Sequence, residues 1–238
     1  MQNALTLIED EILKLELNQH PPNLYEPIRY ILSLGGKRLR PMLTLLGYHL
    51  HDDQFEKAVH EKWNDTIAIL SGDTMFVKAY DLLLETPSNR LAESIQKFNK
   101  CAIEVCEGQQ LDMDFEGLAS VSEGEYLEMI RLKTAVLLGF SLEYGGLLAG
   151  LEEKQLKELN TIGEKAGIGF QLMDDLLDVY ADKAKFGKQV GGDIVSNKKT
   201  YLLIKALQLS SAVQKKELNR WLEMKEFDAV EKVDAVKT

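Results

Sequence analysis

From Arg90 to Glu116 the apolar residues Leu91, Ile95, Phe98, Ala102, Val105 and Leu111 recur at the three-to-four-residue spacing of a helix that buries one stripe. Strict two-residue alternation, the mark of a half-buried strand, is hard to find anywhere in the chain. The same helical spacing predicts helices over Leu5–Leu17, Leu24–Ser33, Pro41–Leu50, Trp63–Glu85, Glu123–Ala149, Glu152–Ala181, Lys198–Leu209 and Val213–Lys225. All five prolines (Pro21, Pro22, Pro27, Pro41 and Pro87) stand in the first part, so everything beyond Pro87 is free to run as long helices. Gly145, Gly146 and Gly150, followed by Glu152 and Glu153, mark a tight helix-to-helix connection with carboxylates at the next N-terminus. No repeat or low-complexity linker divides the chain, and the expectation is an all-α protein in a single domain over residues 1–238.

Composition narrows the function. With 238 residues, 45% of them hydrophobic, the chain can bury a sizeable core. A formal charge of -10 argues against a nucleic-acid binder or a binder of anionic membranes, because both reward a clustered positive surface. An anionic ligand must then meet a local basic pocket or bound cations. No uncharged apolar run approaches the ~20 residues that cross a bilayer. The opening residues lack a basic stretch followed by an apolar one. The expectation is a soluble, cytoplasmic protein without stable membrane insertion. Cys101 and Cys106 suit neither a CxxC metal pair nor a disulfide framework, and read as reduced, buried thiols.

Two segments carry candidate chemistry. In GFQLMDDLLDVY, Asp174, Asp175 and Asp178 sit inside a very apolar helix; Asp174 and Asp178 stand one turn apart with Asp175 beside them, so three carboxylates are expected to converge. Like charges that close repel unless something positive sits among them, and hard oxygens at this spacing suit Mg2+ held jointly with substrate phosphates. The alternative is a solvated acidic face. Lys185, Lys188, Lys198 and Lys199 follow in a glycine-bearing stretch with Gly187, Gly191 and Gly192, the combination a diphosphate needs: metal on one side and ammonium groups on the other. Near the start, LGGKRLRPML places Lys37, Arg38 and Arg40 after two glycines and before Pro41, a candidate anion site whose alternative is a helix-start turn with solvated cations.

Taken in order, GGKRLRP, GDTMFVKAY, EGQQLD, RLKTAVLL, FQLMDDLLD and FGKQVGGD followed by NKKT closely resemble the polyprenyl synthetase family, from Leu34 to about Leu207. The resemblance implies a bundle of about ten or more helices around a central cavity. It also implies a prenyltransferase that joins an allylic diphosphate to isopentenyl diphosphate, uses three Mg2+ ions when loaded and works as a homodimer. Lys37 and Arg40 resemble the family's ligands for isopentenyl diphosphate. Asp174, Asp175 and Asp178 resemble its second aspartate-rich motif, which binds the metal, and Lys188 and Lys198 resemble the lysines that clamp the allylic diphosphate, with Asp193 nearby. Lys133, Thr134 and Gln171 match positions along the developing allylic cation, and Gln109 and Asp112 match a supporting shell.

One departure bears on activity. The family's first aspartate-rich motif, with the arginine pair after it, is absent. HDDQFE, with Asp52, Asp53 and Glu56, lies too close to GGKRLRP to replace it and reads as an inter-helix loop. At Ala58 and Val59 the sequence runs straight through where the family carries at least another helix, so a segment is expected to be missing there, and a helical tail beyond Thr238. Two alternatives to the enzyme are a non-catalytic subunit of a heteromeric synthase and a terpene cyclase. The intact charged positions argue against the first, and the GGKRLRP turn, which a cyclase does not need, argues against the second. Product length stays open.

Overall fold

The computed structural model describes residues 21–33, 59–180 and 191–237. The helices expected over Leu5–Leu17 and Pro41–Leu50 lie outside them. The order of elements is α1 (Pro22–Ser33), α2 (Val59–Lys62), α3 (Asp65–Leu83), α4 (Leu91–Glu116), α5 (Glu123–Ile130), a π-helical turn (Arg131–Ala135), α6 (Val136–Leu148), α7 (Glu153–Tyr180), α8 (Gly192–Val195), α9 (Tyr201–Leu209), α10 (Ala212–Glu223) and α11 (Ala229–Lys237). Every regular element among the described residues is helical, as the periodicity predicts. The chain divides after Phe98 into two compact units.

In the first unit, α1 opens on Pro22, a position that needs no N–H donor. Ile28 of α1 and Met75 of α3 are buried together, with Tyr25, Ile31 and Leu32 packed around them, and the Ser71 hydroxyl donates to the Leu24 carbonyl at 3.2 Å. Helix α3 starts at Asp65 rather than at Trp63 because Asn64 is its N-cap, accepting from the Ile67 amide at 2.9 Å.

The second unit holds the candidate chemistry. Its core gathers Phe115, Val121, Tyr126, Met129, Ile130 and Ile204. A capping box between Ser122 and Glu125 starts α5. The single helix expected over Glu123–Ala149 is interrupted in its middle: the Val136 amide reaches back to the Arg131 carbonyl, and Arg131–Ala135 form a π turn that takes in one extra residue.

Glycines hold that turn on both sides. A Cβ on Gly108 of α4 would lie 2.2 Å from the Lys133 backbone nitrogen, and one on Gly167 of α7 would lie 2.5 Å from the Ala135 Cα. The approach continues along the antiparallel pair α6 and α7, where a Cβ on Gly163 would lie 2.5 Å from the Leu138 carbonyl oxygen. These are backbone-to-backbone contacts, which no side-chain rotation relieves. Gly145 and Gly146 belong to α6 rather than to a break, and Gly146 faces Leu156 and Leu159 of α7. Only Gly150, at φ +80, makes the turn between the helices.

Beyond α7, Gly191, at φ +89, is the N-cap of α8, a helix that the glycine-bearing stretch did not predict. Thr200 is the N-cap of α9, so this helix starts at Tyr201 and not at Lys198. Helices α2 and α11 were also not expected.

The glycine contacts are tested by two substitutions on one helix. Gly167→Ala overlaps the Ala135 backbone and is expected to cost about 1–3 kcal/mol. Gly169→Ala points into open space and is expected to be neutral or to gain up to about 1 kcal/mol from helix propensity. Thermal melts that move together in the two variants would remove the close-approach reading.

Candidate active site

Three elements place the predicted residues. The π turn carries Lys133 and Thr134, α4 carries Gln109 and Asp112, and α7 carries Gln171, Asp174, Asp175 and Asp178. Lys133 and Thr134, adjacent in sequence, turn to different neighbours. The Lys133 ammonium meets Asp112 Oδ2 at 2.7 Å, while the Thr134 hydroxyl donates to Gln171 Oε1 at 3.1 Å. Arg131, at the start of the same turn, forms a double contact with Glu128 and reaches Glu164 of α7 at 3.4 Å.

From Thr134 the hydrogen bonds continue inward. The Gln171 Nε2 group donates to Asp175 Oδ1 at 3.1 Å, and the Tyr126 hydroxyl donates to Asp175 Oδ2. Asp175 is buried at 5% exposure with both oxygens engaged. Burial pushes its carboxyl above the usual range, against the pull of the Tyr126 and Gln171 hydrogen bonds. Burial first, and the neighbouring Asp175 charge second, push the Tyr126 phenol upward.

Asp178 is tied elsewhere. Its Oδ2 accepts from the Asp193 amide at 3.1 Å, and its backbone carbonyl accepts from the Gly191 amide at 2.7 Å. Burial, followed by the Asp193 charge, raises this carboxyl too. Lys198 pairs with Asp193 Oδ1 at 3.1 Å; burial pulls its ammonium down, but Asp193, Asp112 and Asp178 outweigh that and raise it.

Thus one unit holds three groups: Thr134, Gln171 and Asp175 in one chain of hydrogen bonds, Asp178 and Lys198 joined through Asp193, and Lys133 paired with Asp112. The expected convergence of three carboxylates takes a different form: among the described residues no three His, Cys, Asp or Glu side chains are grouped to hold a metal ion. Asp175 is turned into the protein, whereas Asp174 is half-buried and stands one turn from Asp178 on the same helix. This donor set still fits a hard cation, because Mg2+ needs only one or two carboxylates when phosphates supply the rest. Lys37, Arg40, Lys188 and the HDDQFE segment lie outside the described residues.

Tyr126 is the residue that sequence reasoning missed. Its signal was weak: a tyrosine on an apolar helix reads as core, and only the rule that a buried hydroxyl finds a partner points further. Of the cysteines, Cys101 is buried with its thiol pushed up to about 12 by burial, but Cys106 is exposed, contrary to expectation. No helix among the described residues is long and apolar enough to cross a membrane.

Comparison with known proteins is consistent across sequence and structure. Residues 55–238 match the family model described as polyprenyl synthetase. A geranylgeranyl pyrophosphate synthase of Geoglobus acetivorans is 37% identical over 242 aligned positions, which take in 87% of this chain and 76% of that protein. Those 242 positions outnumber the chain's 238 residues, so the relative carries residues with no counterpart here. A geranylgeranyl diphosphate synthase of Methanosarcina mazei is 35% identical, covering 84% of this chain and 71% of that protein. The crystal structure of a geranylgeranyl pyrophosphate synthase superimposes with a TM-score of 0.85 at 37% identity, over 98% of this chain and 83% of the other. That of the Pyrococcus horikoshii enzyme gives 0.84 at 31% identity, over 99% and 83%.

The raised Asp175 carboxyl has a stability consequence with a definite sign. A carboxyl lifted by burial contributes most below its unfolded pKa, and that contribution is lost as pH rises through the folded value. Asp175→Asn removes the loss, so its melting temperature relative to the parent is expected to improve from pH 4 to pH 7. A difference that is the same at both pH values would show that Asp175 ionises without penalty.

Proposed function

The chain belongs to the polyprenyl synthetase family and is an isoprenyl diphosphate synthase, and from this premise we propose that it condenses an allylic diphosphate with isopentenyl diphosphate to give a longer trans-prenyl diphosphate and pyrophosphate. The observation that carries the reading is the linked set Thr134–Gln171–Asp175 beside Asp178–Asp193–Lys198, which sets neutral dipoles next to alternating charge at one end of α7.

In the proposed reaction the allylic carbon–oxygen bond breaks with its electron pair leaving on the diphosphate. The alkene of isopentenyl diphosphate forms the new carbon–carbon bond, and a proton is lost to the released pyrophosphate. No side-chain nucleophile is needed. Asp174 and Asp178 would hold Mg2+, with Asp175 supporting them from behind rather than ligating; bound there, the metal would neutralise charge on the departing group. Lys198, with Lys188, would bind the same diphosphate, and Asp193, paired with Lys198 at 3.1 Å, would orient it. Lys37 and Arg40 would bind the second substrate. The Thr134 hydroxyl and the Gln171 amide, their orientation set by each other and by Asp175, place oxygen dipoles along the path of the developing cation. Asp112, paired with the Lys133 ammonium at 2.7 Å, would hold that charge beside the same path.

The residues that the relatives carry and this chain lacks are assigned, on this reading, to the junction at Ala58 and Val59, where the first aspartate-rich motif is absent. The protein is further proposed to act in the cytoplasm as a homodimer.

Incubation with radiolabelled isopentenyl diphosphate, an allylic diphosphate and Mg2+ is expected to yield a chain-lengthened product. A hydrocarbon formed from the allylic substrate alone would establish a terpene cyclase instead, and silence broken only by a second protein would establish a non-catalytic partner. Asp174→Ala is expected to lower turnover by on the order of 100-fold or more while Cys106→Ala leaves it unchanged. Near-normal turnover in the aspartate variant would remove Asp174 from the metal site.

A further inference from the structure

Lys232 on α11 has no exposed surface. Its ammonium lies 2.6 Å from Asn197 Oδ1, 3.3 Å from the Val195 carbonyl oxygen and 4.0 Å from the centroid of the Phe227 ring. All three partners are uncharged. Burial lowers the lysine's pKa, and a methionine or leucine would fill the same space without the cost of desolvating a cation. The ammonium is therefore retained for what it holds.

What it holds is the far end of α8. Val195 is the last residue of that short helix, and its carbonyl, left without a partner further along the helix, accepts from the lysine. Asn197, two residues on, sits in the left-handed region at φ 56, and its Nδ2 group donates to the Leu222 carbonyl of α10 at 2.9 Å. The next residue along α11 secures the near end of α8: a Cβ on Gly191 would lie 2.6 Å from Val233 Cγ2. Lys232 and Val233 together touch both ends of the stretch from Gly191 to Asn197. Between those ends is Asp193, whose amide meets Asp178, and directly after them comes Lys198, whose ammonium meets Asp193.

We propose that Lys232 is a positioning residue for the allylic diphosphate: acting through Val195 and Asn197, it holds Asp193 and Lys198 in place against Asp178. The inference deepens the synthase reading above and depends on it for the identity of the ligand. It predicts an effect on one substrate only, since Lys37 and Arg40 serve the other.

In Lys232→Met the KM for the allylic diphosphate is expected to rise about tenfold while the KM for isopentenyl diphosphate stays within twofold. A purely structural lysine would instead lower the active fraction, reducing kcat and leaving both KM values alone, and that result would overturn the proposal. Should Lys232→Met fail to fold, Asn197→Gly removes the same acceptor while keeping the positive φ, and the same split is expected of it. Hydrogen exchange gives a readout that needs no turnover: amides of residues 191–198 are expected to exchange at least fivefold faster in the variant than in the parent, with α7 unchanged. Unchanged exchange there sinks the positioning role. An inactive parent with faster exchange in the variant sinks the synthase reading and leaves the tether standing.

Discussion

The second unit depends on backbone meeting backbone at the π turn. Gly108 on one side and Gly167 on the other leave no room for a single carbon atom, so Lys133, Thr134 and Ala135 are fixed by the main chains of α4 and α7 rather than by their own side chains. A polar residue held this way loses little freedom when it engages a ligand, because its Cα has nowhere to go. The extra residue of the π turn then decides direction. Lys133 turns to Asp112 of α4 and Thr134 to Gln171 of α7, a divergence that the tight packing makes permanent.

Around this frame, carboxylates do different work according to burial. Asp175 is enclosed by a phenol and an amide and is costly to ionise, Asp178 accepts a backbone N–H, and Asp174 keeps access to solvent. Adjacent residues of one helix thus divide into a support and an outward-facing pair. The division explains how an acidic motif can sit in an apolar helix without tearing it open: the most deeply buried of the three groups is the one with the most hydrogen bonds.

Much of this was legible in the sequence. The long helices α4 and α7 are written in their apolar spacing and in the absence of proline beyond Pro87, and the ordered motifs identify Thr134, Gln171 and the aspartates as a group. The π turn was not legible, since RLKTA has the composition of ordinary helix and the glycines that face the turn lie far away in sequence. Gly191 and Gly192 read as loop because glycine lowers helix propensity, yet only Gly191 uses a positive φ, and Gly192 enters α8. The orientation of Asp175 escaped because spacing along a helix gives a face, not the partner waiting behind it. Lys232 carried no signal at all: within an amphipathic segment, a lysine reads as solvent-facing.

The π turn also sets a constraint on how this chain can vary in length. Deleting one of residues 131–135 would return the turn to regular α-helix while the flanking segments keep their faces, because the wide turn is what absorbs the extra residue. Gly139 would still meet Asn160, but the separate directions of Lys133 and Thr134 would be lost. A deletion inside α6 has no such outlet: it rotates everything after it by about 100°, and side chains arrive where Gly139 and Gly146 leave room only for hydrogen. Change in length is therefore tolerated by the packing where it harms the polar groups, and refused by the packing where it would leave them alone.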